Sequence, residues 1–406
     1  MAKRTKIGAI DVGTTKVCTI MADVDDSGMP RVLAVGIVPS RGLQKGLVVN
    51  FSEAKQSIRE SVRKAEQIAG YKLESAYVGV TGRHISSVNN RGVIAITRND
   101  RMVHPKDLKR VLDVARSVQI PSDRELLHVI PRSYAVDGQE GVKNPVGMHG
   151  FRLDVETHII TAAVTSVQNL TKCIRAIGVD IDDLVLEPLA SAEAILTAEE
   201  KQDGVLVADI GGGTTDIAVF KDNSIYHTSV LPVAGYQLTH DISVGLDMPF
   251  ELAEAMKKKH ASVMPIHEES TREAREGDRT LTEDGHSVSY RDLSEIVRVR
   301  VGELIRLIFM ELPRGEYAKL IPAGLVLTGG TANLPGIAEL GNEITRLPVR
   351  VGFPINLYGV SDTLHDPAYA TAVGLLLWKG KKAGVQSWQP RSGLQRFISQ
   401  IFRLFR

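Results

Sequence analysis

Short apolar runs along the chain predict buried strands, and two of these runs lead into the same polar pattern. Residues 7–20 read IGAIDVGTTKVCTI, and residues 205–220 read VLVADIGGGTTDIAVF. In each segment an apolar run reaches an aspartate, Asp11 or Asp209, then a glycine and two threonines, and a second apolar run follows. Short β-branched runs bounded by glycine are typical of strands with both faces buried. The pattern therefore predicts two β-hairpins of the same design.

The tips of both hairpins carry groups that suit a nucleotide phosphate. Glycine turns let backbone N–H groups approach phosphate oxygens, and threonine hydroxyls add to that row. Lys16 adds a positive charge, and Asp11 and Asp209 would hold Mg²⁺ through its water ligands. For either segment alone, the alternative is a hairpin with a flexible glycine turn and no ligand. Two such hairpins indicate a duplicated α/β fold that closes on one nucleotide. The tip residues are Gly13, Thr14, Thr15, Lys16, Gly211, Gly212, Gly213, Thr214 and Thr215.

Three further segments occur in an order that resembles the actin/Hsp70/sugar-kinase ATPase superfamily. Residues 325–336 (LVLTGGTANLPG) are similar to its adenosine-binding turn, through Gly329, Gly330 and Thr331. Residues 186–194 (LEPLASAEA) and 366–378 (DPAYATAVGLLLW) resemble its two connecting helices. The resemblance implies an actin-like, ribonuclease H-like, duplicated two-lobed α/β fold that binds ATP with Mg²⁺.

Other polar residues are candidates for binding the nucleoside or for catalysis. Gly235 follows a predicted strand, and Glu254 and Lys257 share one face of a predicted helix over 250–260. The resemblance implies that this pair grips the ribose and flanks the adenine, and a plain surface ion pair is the alternative. Glu187 would orient metal-bound water, or it is simply a carboxylate favoured at a helix N-terminus. The catalytic candidates are therefore Asp11, Glu187 and Asp209, and we expect slow or conditional hydrolysis because no residue that positions the nucleophile is evident.

Between the first lobe and its connecting helix, the chain carries an additional segment over 83–165. Its pattern predicts strands over 92–97, 125–136 and 152–164, a helix over 105–118, and a Gly/Pro-rich loop over 138–150. This inserted β-α-β-β subdomain is either a decorative insertion or a surface for docking or self-assembly. The segments 79–86 (GVTGRHIS) and 141–147 (GVKNPVG) resemble those of the FtsA family of bacterial cell division proteins. The layout is similar as well, because the insert lies at this point of the chain and no actin-type subdomain occurs near residue 40.

Helices and strands elsewhere follow from the same periodicities. Residues 52–69 predict a helix capped by Ser52 and ended by Gly70, and residues 291–312 predict a long amphipathic helix.

The expected division into domains has six parts. They are an actin-like first domain (1–82, 166–202 and 354–380), the insert (83–165), an actin-like second domain (203–234 and 313–353), a nucleotide- and partner-binding subdomain (235–312), a flexible linker (381–392) and a membrane-targeting helix (393–406).

Composition narrows the class of protein. The chain has 406 residues, of which 43% are hydrophobic and 24% charged, with a net charge of +1. That is typical of a globular protein with two or more lobes and argues against nucleic acid as a partner. Cys18 and Cys173 lie in apolar surroundings and are expected to be free thiols in a reducing cytoplasm. From the pattern of apolar residues we expect neither a signal peptide nor a membrane-spanning helix.

The C-terminal segment has a different character. Residues 379–392 read as a flexible tether, and residues 393–406 (GLQRFISQIFRLFR) form an amphipathic pattern with no acidic residue. A cationic polar face with too few residues to span a bilayer is typical of an interfacial helix on an anionic membrane surface. A terminal helix docked on its own core is the alternative. The apolar face comprises Leu394, Phe397, Ile398, Ile401, Phe402, Leu404 and Phe405, and the basic residues are Arg396, Arg403 and Arg406.

The resemblance implies a set of partners. An FtsA-like protein would polymerise with itself, tether the FtsZ ring to the cytoplasmic face of the cell membrane at the division site, and recruit other division proteins through the insert. Arg300 is the candidate for binding the acidic, apolar C-terminal tail of FtsZ, a tubulin-like GTPase, although a basic stripe on a helix is usually only a solvated face. A sugar-type kinase of the same superfamily is the alternative function, but such a kinase has no use for a basic amphipathic tail. An Hsp70-like chaperone would need a peptide-binding domain after Trp378, where too few residues follow.

Overall fold

The computed structural model describes residues 5–24, 29–264, 280–283, 285–313, 317–355, 357–359, 362–378 and 386–387. The expected membrane helix, residues 393–406, lies outside the described residues. The expected linker, residues 381–392, lies outside them as well apart from residues 386–387.

The first lobe is built on a six-stranded sheet with the order β11-β6-β1-β2-β3-β19. Its apolar strands are covered on both faces, as the continuous hydrophobic runs predict. The first hairpin forms the middle of the sheet, and strand β1 pairs in parallel with β6 and antiparallel with β2. The strands are β1 (Thr5–Val12), β2 (Lys16–Val24), β3 (Pro30–Pro39), β6 (Ser75–Val80), β11 (Asp180–Leu186) and β19 (Tyr358–Gly359).

The second lobe repeats this pairing scheme in a five-stranded sheet with the order β14-β13-β12-β17-β18. Strand β12 pairs in parallel with β17 and antiparallel with β13, and β13 pairs antiparallel with β14. The first lobe uses the same sequence of pairings around its own hairpin, so the duplication expected from the two sequence patterns is confirmed. The strands are β12 (Val205–Ile210), β13 (Thr215–Lys221), β14 (Ser224–Leu231), β17 (Leu325–Thr328) and β18 (Val349–Val351).

The insert forms a separate sheet with the order β20-β8-β10-β7, and β9 pairs with β8. One helix, α2, covers it and closes a small core that includes Ile94, Val111 and Leu153. Strand β7 begins several residues before the expected position, and the expected loop over 138–150 contains strand β9. The elements are β7 (Ser86–Ala95), α2 (Pro105–Arg116), β8 (Arg124–Val136), β9 (Gln139–Val142), β10 (Arg152–Ala163) and β20 (Gln386–Ser387).

Most of the remaining helices lie where the periodicity predicts them. Helix α1 begins one residue before the expected start, and the expectation that Ser52 caps it is wrong. The Asn50 side chain accepts hydrogen bonds from the Ser52 and Glu53 backbone N–H groups, so Asn50 is the cap. The helices are α1 (Phe51–Ala69), α3 (Val164–Arg175), α4 (Glu187–Ile195), α5 (Ala198–Asp203), α6 (Gly235–Gly245), α7 (Phe250–His260), α8 (Tyr290–Met310), α9 (Tyr317–Leu320), α10 (Ile337–Thr345) and α11 (Ala370–Leu377).

Small strands and turns complete the fold. The segment before helix α8 contains a hairpin of strands β15 and β16. The short strands are β4 (Leu43–Gln44), β5 (Leu47–Val48), β15 (Thr280–Glu283) and β16 (His286–Ser289), and the 3-10 turns are Gly330–Asn333, Asp362–His365 and Pro367–Tyr369. Within the described residues, no helix is both long and apolar enough to cross a bilayer.

The two connecting helices, α4 and α11, pack directly against each other between the lobes. Gly374 permits this close approach, because a Cβ at that position would overlap the backbone of Ala190. Their buried apolar residues belong to one core with the first sheet, and Val205, Val207 and Phe220 of the second lobe join the same core. The connecting helices therefore link the two halves of the molecule beneath the hairpin tips.

Candidate functional site

The two hairpin tips meet each other between the lobes. A Cβ built on Gly213 would lie 2.6 Å from Thr14 Oγ1 and 3.1 Å from Lys45 Cα, and a Cβ on Gly212 would overlap the Thr15 side chain. A larger residue at either glycine would force the Thr14 or Thr15 side chain, or the backbone at Lys45, to shift. The sequence pattern predicted that the two tips face one site, and the structure places them in contact.

Asp209 is connected to both connecting helices. Ser191 Oγ on α4 donates a 2.5 Å hydrogen bond to Asp209 Oδ2, and Thr371 Oγ1 on α11 donates one of 2.9 Å to the same oxygen. Gly329, with φ of 85°, lies directly against the Asp209 carboxyl. The carboxylate at the end of β12 is thus held by three separate parts of the chain, which makes it a rigid group at the base of the cleft.

A fourth carboxylate, Asp216, belongs to this site and was not among the residues expected from the sequence. It stands directly opposite Asp209 in the β12–β13 register. Thr214 Oγ1 donates a 3.0 Å hydrogen bond to Asp216 Oδ2, and Thr81 from the first lobe donates to Asp216 Oδ1. The Thr81 hydroxyl therefore bridges the two lobes. The hairpin register was the signal in the sequence, because the residue opposite a site carboxylate points to the same side of the sheet.

Four buried carboxyl groups with perturbed pKa values lie near one another. Burial raises the pKa of Asp11 to about 6; the positive charge of Lys16 opposes this shift, and the negative charge of Asp209 adds to it. Burial raises the pKa of Asp216 to about 7, with Asp209 and Asp11 adding to the effect. The pKa of Glu187 is raised well above its usual value by burial and then by Asp11, Asp216 and Asp209. Burial also raises the pKa of Asp209, although hydrogen bonds from Ser191 and Thr371 oppose it. Perturbed carboxyl groups in a cleft are typical of functional sites.

Glu187 is the first residue of α4. Its side chain packs against strand β6 of the first sheet, where a Cβ on Gly79 would lie 3.2 Å from Glu187 Oε1. A cavity of about 10 Å³ borders its side chain and is also lined by Val12, Thr81 and His84. That volume is about enough for one water molecule. Glu187 therefore lies where a carboxylate can orient water beside the hairpin tips.

The residues predicted to bind the nucleoside also come together. Lys257 Nζ forms a 2.7 Å ion pair with Glu254 and donates to Gly235 O at 3.1 Å and to Thr239 Oγ1 at 2.7 Å. Burial lowers the pKa of Lys257, and Glu254 partly offsets this. Burial would raise the pKa of Glu254, but Lys257 and the hydrogen bonds from Thr239 and Lys258 outweigh it, so the net pKa is lowered. This pair is partly buried and contacts Gly235 and Thr239, unlike a plain surface ion pair.

The adenosine-type turn adjoins the second hairpin. Thr331 Oγ1 donates a 3.1 Å hydrogen bond to Gly211 O, and the Gly235 backbone N–H donates to the same oxygen at 3.1 Å. A Cβ on Gly235 would lie 2.8 Å from Thr331 Oγ1 and 3.5 Å from Lys257 Nζ. Three segments distant in sequence thus pack closely beside the second hairpin tip, and they can do so because position 235 has no side chain.

Arg300, the predicted partner-binding residue, is engaged within the chain. It pairs with Asp241 on α6 and forms a 2.8 Å ion pair with Glu303, while its side chain stays 31% exposed. Its neighbour Arg298 donates to Val263 O at 2.6 Å and pairs with Glu343 at 2.6 Å. An acidic ligand would therefore have to compete with Asp241 and Glu303 for Arg300.

Two family models match this chain. The model described as "Cell division protein FtsA" matches residues 206–374, and the model described as "SHS2 domain inserted in FTSA" matches residues 82–161. The second match coincides with the inserted sheet and its covering helix.

Curated relatives match along most of the chain. It is 44% identical to the cell division protein FtsA of Pseudomonas aeruginosa over 375 residues, which covers 92% of this chain and 88% of the relative. It is 36% identical to FtsA of Bacillus subtilis over 378 residues, covering 93% and 84%. It is 35% identical to FtsA of Escherichia coli K12 over 383 residues, covering 92% and 90%.

Solved structures share the fold at low sequence identity. A PilM–PilN type IV pilus biogenesis complex aligns with a TM-score of 0.62 and 17% identity over 92% of this chain and 98% of that one. MreB5 of Spiroplasma citri bound to ADP aligns with a TM-score of 0.56 and 14% identity over 93% and 97%. These similarities support the actin-like architecture that the duplicated hairpins predicted.

Proposed function

This chain belongs to the FtsA family of cell division proteins, which has the actin-like ATPase fold. From that premise we propose that it is an ATP-binding, polymer-forming peripheral membrane protein that tethers the FtsZ ring to the cytoplasmic face of the cell membrane. The observation that carries the nucleotide part is the contact of two glycine–threonine hairpin tips above a group of buried carboxylates.

The residues present fit a nucleoside phosphate. Gly235, Lys257 and Thr331 lie close together, and a Cβ at Gly235 would crowd Thr331 Oγ1 at 2.8 Å. Glu254 and Lys257 would bind the ribose and flank the base, and Lys16 with the hairpin N–H groups would bind the phosphates. MreB5 of Spiroplasma citri, which shares the fold, was solved with ADP, and this supports the proposal.

The carboxylates fit a divalent cation. Asp11, Asp209 and Asp216 are buried together, and burial raises the pKa of each, so a positive charge beside them would lower the cost of their ionisation. Within the described ranges, no group of three or more histidine, cysteine or acidic side chains is arranged to ligate a metal directly. Asp11 and Asp209 would therefore hold Mg²⁺ through its water shell, as this ion prefers. The bound ion supplies charge neutralisation for the phosphates.

The chain's own contribution to a switch lies in the contacts that join the lobes. Thr81 on the first lobe donates to Asp216 on the second, and Ser191 and Thr371 hold Asp209 against both connecting helices. A ligand that binds both hairpin tips stabilises the arrangement in which these contacts are made, and so shifts the population towards the closed form. We propose that the closed form presents the surfaces through which copies of this chain polymerise.

The membrane and protein partners follow from family membership and from the sequence pattern. The basic amphipathic segment 393–406 would lie on anionic lipid, and one copy would bind only reversibly. A polymer would bind by avidity, which raises affinity by about 10²–10⁴. The FtsZ C-terminal tail would bind near Arg300, in competition with Asp241 and Glu303, and the insert would contact other division proteins.

Co-sedimentation tests the proposal. The full chain is spun with anionic vesicles and FtsZ filaments, with ATP and Mg²⁺ or without nucleotide. We expect FtsZ to pellet with vesicles only when this chain is present, and more of the chain to pellet with ATP than without. FtsZ that reaches the vesicles equally well without this chain would contradict the tethering role, and equal pelleting with and without nucleotide would contradict the switch.

A further inference from the structure

The insert meets the first sheet at the point where the chain enters the candidate catalytic helix. Strand β11 is the edge of the first sheet, and its last residue is Leu186. The backbone N–H of Leu186 donates a 3.1 Å hydrogen bond to Nε2 of His128, which belongs to strand β8 of the insert. His128 is 0% exposed. An imidazole from the insert therefore satisfies a backbone donor at the edge of the nucleotide lobe.

The position of this hydrogen bond makes it relevant to the candidate site. Leu186 immediately precedes Glu187, the first residue of α4. Burial, and after it the charges of Asp11, Asp216 and Asp209, raise the pKa of Glu187, so its surroundings disfavour the ionised form of its side chain. The placement of that side chain then depends on how firmly the backbone is held at the start of α4. Leu186, the residue just before Glu187, pairs with Val80 of β6 and donates to His128 of the insert.

His128 also contacts the segment that leaves the second connecting helix. Its ring centroid lies 5.7 Å from that of Trp378, at an interplanar angle of 51°. Trp378 follows α11, the helix whose Thr371 donates to Asp209. Further along, Ser387 and Gln386 pair in register with His128 and Val129 of β8. The side chain and the backbone of His128 thus both contact the C-terminal part of the chain.

The electronic state of the ring suits this role. Burial lowers the pKa of His128 to about 3, so the imidazole is neutral near pH 7. A neutral ring accepts at one nitrogen and carries its proton on the other. Because Nε2 accepts from Leu186, the proton resides on Nδ1.

We propose that His128 is a positioning residue, which fixes the backbone at Leu186 and thereby the Glu187 carboxylate. Because His128 also contacts Trp378 and residues 386–387, this placement depends on the position of the C-terminal segment. The inference rests on the proposed nucleotide site and extends it. It assigns the insert a function inside the chain, namely a mechanical link between the C-terminal segment and Glu187. The imidazole of His128 thus contacts both strand β11 and Trp378, which are far apart in the sequence.

Two substitutions of the same residue in the full chain test the hydrogen bond. His128→Leu removes the acceptor, whereas His128→Gln keeps an acceptor oxygen on a side chain of similar reach. Leu153→Ala, in the core of the insert, is the matched control for a destabilised insert without an altered Leu186 contact. For each protein, amide hydrogen exchange of the peptide containing Leu186 and Glu187 is measured without nucleotide. The ADP dissociation constant and the single-turnover rate of ATP hydrolysis are measured alongside.

We expect His128→Leu to speed exchange at Leu186 and Glu187 by about tenfold or more, and to lower the hydrolysis rate at least fivefold. The ADP dissociation constant should stay within about twofold of wild type. His128→Gln should recover most of both effects, and Leu153→Ala should speed exchange in the insert alone. Trp378→Leu should raise exchange at Leu186 and Glu187 in the same direction by a smaller factor, and it provides the test should His128→Leu fail to fold.

Unchanged exchange in His128→Leu or in Trp378→Leu would overturn the inference, as would equal behaviour of the leucine and glutamine variants. Failure of the proposed function is distinguishable from these outcomes. A wild-type chain that binds no nucleotide would refute the nucleotide site, while the exchange measurement would still decide whether His128 holds Leu186. A wild-type chain that hydrolyses ATP at the same rate as His128→Leu would refute the inference alone.

Discussion

Replacing Asp216 with asparagine isolates the electrostatic cost of the buried carboxylates. Burial raises the pKa of Asp216 from 3.8 to about 7 in the folded protein. A folded-state pKa above the unfolded value means that the folded form prefers the protonated acid. The contribution of this group to stability is therefore complete below pH 4 and is lost as pH rises towards 7. The asparagine variant would show no such dependence at this position, because an amide side chain stays neutral at every pH.

The size of the effect follows from the shift. Each pKa unit corresponds to about 1.4 kcal/mol, so from pH 5 to pH 7 the wild-type protein loses roughly 3 kcal/mol that the asparagine variant keeps. Against this, Thr81 and Thr214 both donate to Asp216, and an asparagine can accept only one of those hydrogen bonds. The lost hydrogen bond costs about 1 kcal/mol. We expect Asp216→Asn to lie within about 1 kcal/mol of wild type at pH 5 and to be more stable than wild type by roughly 3 kcal/mol at pH 8.

Denaturant unfolding of the nucleotide-free protein between pH 5 and pH 8 measures this difference. Asp113→Asn is the matched control, since Asp113 is an exposed aspartate on the insert and should leave the pH profile unchanged. The same Asp216→Asn variant should bind Mg-nucleotide more weakly, because it removes a negative charge from the site. Parallel pH profiles for wild type and Asp216→Asn over this range would refute the claim that Asp216 is ionised at a cost.

Three further predictions address the proposed nucleoside position, the FtsZ surface and the membrane segment. Gly235→Ala should weaken ATP binding at least tenfold in a calorimetric titration, because its Cβ would lie 2.8 Å from Thr331 Oγ1. The unfolding midpoint should stay within a few degrees of wild type. Unchanged affinity would contradict the proposed position of the nucleoside. Arg300→Ala should weaken binding of a fluorescent FtsZ tail peptide several-fold and reduce its salt dependence, and an unaltered dissociation constant would remove Arg300 from the interface. Phe402→Glu should abolish pelleting with anionic vesicles and leave ATP affinity unchanged, and full pelleting of this variant would contradict a membrane role for residues 393–406.

The sequence predicted the hairpins well because both faces of their strands are buried, so the pattern is strong and local. It did not predict Asp216, since recognising that residue requires the β12–β13 register that sets it opposite Asp209. It chose Ser52 as a cap where Asn50 serves, because both residue types cap helices and the choice depends on where the chain turns. The pairing of Arg300 with Asp241 joins two helices distant in sequence, and helical periodicity cannot report such a contact.

The two hairpins are duplicates that have taken different parts in the site. In the first, Asp11 stands opposite Cys18, whereas in the second Asp209 stands opposite Asp216. Burial, with the charge of Asp11, raises the pKa of Cys18, so this thiol stays neutral. The first hairpin thus contributes one acid and the amine of Lys16, and the second contributes two acids and bare glycines. A ligand that carries phosphate oxygens and a divalent cation matches this distribution of charge best in one orientation. In that orientation its anionic groups lie near Lys16 and its cation lies between Asp11 and Asp209. If the proposed nucleotide site is correct, the asymmetry of the duplicated hairpins would set the direction in which the nucleotide binds.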